Sequence, residues 1–313
     1  MPSLHERAFR RALTKLSVEL KRLQSRDFKR RYRQARVHAF EIEFLAKFFD
    51  KLPGGRHWRV MRDLSKELED HLGRFDELDA VGRAKARDVA RMREWLVEEA
   101  WTPLRDPDSK LHEIKGRLDR IEWLRDKDLR VYAIKRLSQQ LEKLQLEIKA
   151  GQYDPKSERG YTFAENETKV HELRRNIRKI SMYMNYLGGV FKLVDRAPNR
   201  GHAELMARFA PLKKTALAKQ SFAKLPPARI ARPVTVPRPY FLAITRFVFE
   251  LGEAKDRAVN GHALGRKLDF NRKNLKNLCG ARLSYNTLVL GVLAELRDTR
   301  LFTRMAEVVK QQG

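Results

Sequence analysis

The chain has 313 residues and carries 67 lysines and arginines against 40 aspartates and glutamates, for a formal net charge of +27 and a pI near 10.4. A hydrophobic fraction of 42% excludes a disordered basic tail and is enough for one sizeable core or two half-cores. A surface this positive repels itself and draws phosphates, so it points to a polyanionic partner: nucleic acid, polyphosphate or an anionic membrane face.

Helical periodicity dominates from the start. Leu13, Leu16, Leu20 and Leu23 recur at three- and four-residue steps. The stripe resumes in a shifted register through Phe28, Tyr32 and Ala35, then Val37, Phe40, Phe44 and Phe48, and Pro53, Gly54 and Gly55 stop it. Asp106 followed by Pro107 reads as the opening of another helix. Leu137, Leu141, Leu144 and Ile148 make an apolar seam that Gly151 closes as a C-cap. The segment 151–165 has the glycines, proline and charges of a connector. After it comes the strongest seam in the chain: Val170, Leu173, Ile177, Ile180, Met184 and Leu187, continued in step by Phe191 and Val194. Five prolines between Leu225 and Tyr240 mark a loop, and helices return from Phe241 to the end. The expected fold is all-α: two helical bundles of about four main helices each, an N-terminal half at 1–150, a connector at 151–165 and a C-terminal half at 166–313. A basic helix early and a Leu-Arg-Asp late (124–126 and 296–298) occur in both halves, the order expected of an internal duplication related by a pseudo-twofold.

The cations fall in stripes. Arg22, Arg26, Lys29, Arg33 and Arg36 step by four, three, four and three, which places them on one helix face with Arg30 and Arg31 beside them. In the second half His171, Arg174 and Arg178 do the same, with Lys179 adjacent, and this row lies about 100° round the helix from the apolar seam. Such rows present a charge every helical turn, matched to a chain of phosphates; arginine engages phosphate oxygens in pairs and lysine acts as a point charge. Neither row carries acidic residues at four-residue steps to neutralise it, as a solvated surface helix would. A third patch, Arg266, Lys267, Arg272, Lys273 and Lys276, has no echo in the other half.

At these residues the chain resembles the CHAD family, named for a histidine-bearing alpha-helical domain. HELRRNIRK at 171–179 is similar to that family's His-x-Leu-Arg-x-x-x-Lys/Arg-Arg/Lys signature, and Arg26-x-x-x-Arg30-Arg31-Tyr32-Arg33 to its first-half counterpart. The segments 124–128 and 290–298 resemble its Leu-Arg-Asp and Leu-Gly-x-Leu-Asn-Asp helices, so the likeness runs along nearly the whole chain. Leu23 stands where a histidine is expected and Ser181 where a further arginine is usual, which leaves both outside the expected site. The resemblance implies basic helices lining a shared cavity, inorganic polyphosphate as ligand and association with polyphosphate granules. The expected contacts are Arg22, Arg26, Lys29, Arg30, Arg31, Arg33, His171, Arg174, Arg178 and Lys179, with Arg272, Lys273 and Lys276 as a further patch. A basic helical protein that binds nucleic acid is the alternative. The absence of aromatics in the second-half basic row counts against it, since base readers interleave them for stacking.

No catalytic constellation stands out. Glu41-Ile-Glu43 lacks the lysine of a Glu-x-Glu-x-Lys strand and lies in a helical stretch, where the two carboxylates would point apart. There is no P-loop and no His-Glu-x-x-His, and the eight histidines lack ligand spacing. Asp126, Asp128 and Asp298 read as helix caps or salt-bridge partners before metal ligands. The reading is therefore a non-enzymatic binder without cofactor or metal. Cys279 stands alone, so no internal disulfide or cysteine metal site can form, and a reducing compartment fits. Residues 1–7 lack the apolar core of a signal peptide, and no stretch approaches the roughly 18 apolar residues of a spanning helix. A cytoplasmic protein without membrane insertion is expected.

Overall fold

A computed structural model describes the backbone of residues 2–22, 28–81, 107–187, 189–196, 199–263, 275–276, 282–283 and 285–313. The fold is all-α, with almost no strand among these residues. The chain divides into two compact units, Met1–Asp126 and Lys127–Gly313. The division falls at the start of the helix spanning 126–149, so that helix groups with the residues after it and not with the N-terminal half, where the sequence pattern puts it.

The first unit holds α1 (Leu4–Lys21), α2 (Phe28–Phe49), α3 (Gly55–Val81) and α4 (Pro107–Leu118). Ser3 caps α1, its Oγ accepting the Glu6 N–H at 3.4 Å, and Asp126 Oδ1 accepts the Leu4 N–H at 3.3 Å. The 3–4 apolar spacing puts Phe9, Leu16, Ala35, Ile42, Met61 and Leu68 in one core. Aromatic rings fill one end of it: Trp58 lies 5.3 Å from Phe9, 5.2 Å from Phe49 and 5.7 Å from Trp123, centroid to centroid. Gly54, at φ 81°, makes the turn between α2 and α3 that its sequence signals.

The spacing from Arg22 to Arg36 predicts one basic row along a single helix face. The structure instead ends α1 at Lys21, where the Arg22 N–H turns back to the Val18 and Glu19 carbonyls, and begins α2 at Phe28. Arg22 is thus the C-cap of a different helix, out of line with Lys29 and Arg33.

The second unit opens with α5 (Asp126–Lys149), whose Leu137, Leu141, Leu144 and Ile148 are buried as the seam requires. Its end is a Schellman turn: Gln152 N–H bonds the Glu147 carbonyl at 3.1 Å, Gly151 N–H bonds that of Ile148 at 3.2 Å, and Gly151 takes φ 73°. A π-turn at Asn166–Val170 leads into α6 (His171–Tyr186). The seam ends there. Phe191 and Val194 are not helical; Phe191–Val194 is β1, paired in parallel with β2 (Val234–Pro237), because α6 ends at Tyr186 with Leu187 as its C-cap and Gly189 turns at φ 113°. Between them lies α7 (Arg200–Phe209). The proline-rich stretch is likewise part strand, and α8 (Arg238–Ala263) starts inside it with Pro239 in its first turn, where a missing N–H costs nothing. β3 (Leu275–Lys276) pairs antiparallel with β4 (Arg282–Leu283), and α9 (Tyr285–Thr299) and α10 (Leu301–Lys310) close the chain. The apolar seam of α6 packs on α8, burying Leu173, Ile177 and Ile180 with Phe241, Ile244 and Leu251. No described helix is long and apolar enough to cross a membrane.

Candidate functional site

Arg174 and Arg178 stand one turn apart on α6 and line a cavity of about 580 Å³ between α6 and α8. α6 contributes Ser181, Met182, Asn185 and Tyr186 beyond them; α8 faces them with Thr245, Val248, Phe249, Gly252 and Glu253, and Ser221 closes one side. The helix geometry makes this wall: residues at 174, 178, 181 and 185 share a face, beside the buried row at 173, 177, 180 and 184. Ser181, expected outside the site because it replaces an arginine, therefore lies on the same wall as Arg174 and Arg178.

The cavity is graded along its length. Arg174 is at the end near Gly252, where its Nε donates to the Val248 carbonyl at 3.2 Å. Met182, Asn185 and Tyr186 lie further along α6 and carry no charge.

His171 opens α6 half-buried, with its Nδ1 enclosed and without a hydrogen-bond partner among the described residues. Burial lowers its pKa from 6.5 to about 4, and Lys255, Arg175, Arg174 and Arg178 add to the effect. At neutral pH it is an uncharged imidazole able to donate one hydrogen bond, set in a cationic cluster. Lys255, one turn beyond Gly252 on α8, is a member of this cluster that the basic rows of the sequence do not include. The glycine is the available signal, since a glycine inside a helix commonly marks close packing.

Lys179 does not share this wall. Its Nζ donates to Asn176 Oδ1 at 2.5 Å and lies 3.9 Å from Glu172; Asn176 donates to the Tyr153 hydroxyl at 2.9 Å, and Tyr153 to Glu147 at 2.5 Å. This chain of bonds ties α6 to α5 and the turn after it, so Lys179 is a structural cation here. Burial and the Glu147 hydrogen bond push the Tyr153 hydroxyl pKa upward, keeping it a donor.

In the first unit Arg33 is exposed on α2, its Nε donating to the Tyr32 hydroxyl at 3.3 Å. Arg36, the last cation of that row, is bound to α3: Glu69, 3% exposed, takes its guanidinium at 2.6 Å. Lys29, Arg30 and Arg31 are on α2, but their side chains, all of Leu23 and Arg26, Arg266, Lys267, Arg272 and Lys273, and the side chain of Lys276 lie outside the described residues.

The acidic candidates have structural partners. Glu41, on helix α2, pairs with Arg11 at 3.2 Å and lies 3.6 Å from His38. Asp126 caps α1, and Asp298 pairs with Arg208 at 2.5 Å. Among the described residues no three histidine, cysteine, aspartate or glutamate side chains gather as a metal site. The chain matches no family model, no curated protein and no solved structure.

Proposed function

We propose that this chain binds inorganic polyphosphate as a non-enzymatic protein of the CHAD type, in the cytoplasm and on polyphosphate granules. The supporting observation is the α6–α8 cavity, where Arg174 and Arg178 stand one helical turn apart on one wall, with His171 and Lys255 in the same cationic cluster. Phosphates strung along this row meet a cation at each turn, and the neutral His171 adds an N–H donor. In the first unit the same reading assigns Lys29, Arg30, Arg31 and Arg33 on α2, together with Arg26, as phosphate contacts. The internal duplication belongs to this proposal as well.

One observation favours the nucleic-acid alternative. Tyr186 and Phe249 line the cavity, so aromatic faces are present where the sequence row has none.

The test is a competition titration at physiological salt, with labelled polyphosphate challenged by RNA, DNA and heparin. Arg174→Ala with Arg178→Ala is compared with Arg59→Ala and Arg120→Ala, two exposed cations elsewhere. The site double is expected to weaken polyphosphate binding and to flatten its salt dependence by about one unit of slope for each phosphate that is no longer neutralised. Equal losses from the two doubles would reduce the effect to net charge, and an unaffected, folded site double would remove polyphosphate from this cavity.

A further inference from the structure

A second cavity, of about 570 Å³, opens beside the outer edge of β1. β1 and β2 form a two-stranded sheet, so each strand has one edge that the other does not cover. The Val190 carbonyl accepts the Val234 N–H at 2.8 Å, and alternate residues of a strand turn their N–H and C=O to opposite sides. Lys192 and Val194 therefore bond toward β2, while Phe191 and Leu193 turn outward. The far edge of β2 is closed by a side-chain amide: Gln312 Oε1 accepts the Thr235 N–H at 2.7 Å, and Gln312 Nε2 donates to the Thr235 carbonyl at 2.9 Å. At the outer edge of β1 the Arg229 N–H bonds the Gly189 carbonyl at 2.9 Å. Past that bond the chain at 224–228 parts from β1, and the cavity lies between them. Pro226 and Pro227 have no N–H to give, so they cannot carry the pairing on. The N–H and C=O of Leu193 have no partner among the described residues.

The lining of this cavity carries cations and, among the described residues, no acid. Lys192 and Lys224 are exposed, and neither pairs with a carboxylate among the described residues. Arg238 pairs with Asp195 at 3.3 Å, but Asp195 also takes Lys213 at 2.6 Å, so one carboxylate answers two cations. Leu193, Leu225 and the two prolines supply the apolar part of the lining.

We propose that the outer edge of β1 takes an extended acidic peptide segment of a partner protein as an added strand. The segment's main chain bonds the N–H and C=O of Leu193, as the Gln312 amide does at Thr235 on the other side of the sheet. Successive side chains of β1 turn to opposite faces, which puts Lys192 on one face and Leu193 on the other. The partner segment therefore alternates acidic residues, matched to Lys192, with apolar ones, matched to Leu193. Lys224 and Arg238 extend the charge complementarity, which favours encounter and sets specificity. This surface stands apart from the polyphosphate reading, since none of its residues lines the α6–α8 cavity.

The experiment is fluorescence anisotropy on the full chain at physiological salt, with the labelled hexapeptide Glu-Val-Glu-Val-Glu-Val as probe. Two further probes carry N-methyl groups on the valines or on the glutamates; each loses the N–H donors of one edge of the extended peptide and keeps its charge. One methylated probe is expected to bind about fivefold or more weakly than the unmethylated one, and the other within about twofold of it, because only one peptide edge meets β1. Equal affinities for all three probes would reduce the binding to net charge, and equal losses in both methylated probes would exclude pairing through one edge; either result, which requires no variant to fold, overturns the proposal. Lys192→Ala with Lys224→Ala changes two exposed side chains and places the site. It is expected to weaken the unmethylated probe about threefold or more, while Arg59→Ala with Arg120→Ala, of equal charge, changes it less than about twofold. A lysine double that binds the probe as well as this control double also overturns the proposal.

Discussion

The guanidinium of Arg174 lies directly against Gly252: a Cβ added at 252 would stand 2.9 Å from Arg174 Nε and 3.1 Å from Nη2. The bare backbone of α8 at this point lets the arginine lie along the helix and donate to the Val248 carbonyl. Position 252 therefore controls where the cation of the cavity sits.

Gly252→Ala tests that control. The obstructed atoms are the far end of a flexible side chain, so the helices need not separate. Alanine is also the better helix former, by roughly 1 kcal/mol. The melting temperature should hold or rise, while polyphosphate affinity falls toward that of Arg174→Ala. A titration in which Gly252→Ala binds like the parent would show that the guanidinium's position is immaterial.

Arg36 and Glu69 make the second prediction. Glu69 is enclosed at 3% exposed, held by Arg36 at 2.6 Å and by Lys66 at 2.9 Å. Arg36→Ala removes one of these charged hydrogen bonds from a buried carboxylate, and the expected loss is about 2 kcal/mol in urea unfolding. Polyphosphate affinity should change little, because this cation is already engaged within the protein. A large loss of affinity without loss of stability would return Arg36 to the binding row.

These two arginines mark the limit of what the sequence makes legible. Intrahelical relationships are visible, because three- and four-residue steps fix them: Leu137, Leu141, Leu144 and Ile148 are buried together, Gly151 terminates their helix, and Arg174 and Arg178 share a wall. Relationships between helices are not. The neutralising partner of Arg36 is 33 residues away on α3, and Lys179 is drawn off by Asn176 and Tyr153. Lys255 joins the cluster through the packing of α8 on α6. The spacing rule also runs on where the helix does not: Phe191 and Val194 keep the step beyond Leu187 yet belong to a strand.

The third prediction concerns pH. His5 and His171 both have their pKa lowered from 6.5 to about 4, chiefly by burial. His5 is fully enclosed between Phe49 and Trp123 and accepts the Leu124 N–H at 3.2 Å, which requires an unprotonated Nε2. Between about pH 6.5 and 4 the unfolded chain binds protons at these sites that the folded chain does not. Their contribution to stability is therefore complete above 6.5 and declines as the pH falls toward 4. The melting temperature should drop over that interval, and His171→Asn should make the drop shallower. A parent and variant with parallel pH profiles would remove His171 from the effect. Polyphosphate placed against the cluster should offset the repulsion by Arg174, Arg178 and Lys255, so saturation with it should also make the drop shallower.

Tyr186 separates the two polyanion readings. It lines the cavity with Phe249, beyond the two arginines. Polyphosphate has no bases, so its affinity should rest on charge and spacing alone. Tyr186→Leu keeps an apolar side chain of substantial size but removes the aromatic face. Under the polyphosphate reading, this variant keeps polyphosphate affinity within about twofold, since every cation that meets a phosphate is still in place. Single-stranded RNA should be the weaker competitor in the parent and should be indifferent to the substitution. Under the nucleic-acid reading, a base stacks on the ring, and removing the ring costs about 1–3 kcal/mol, a change of roughly tenfold or more in RNA affinity. Fluorescence anisotropy with labelled RNA and labelled polyphosphate, on parent and variant at one salt concentration, measures both. RNA that binds more tightly than polyphosphate in the parent and loses that advantage in Tyr186→Leu would replace polyphosphate with nucleic acid as the ligand of this cavity.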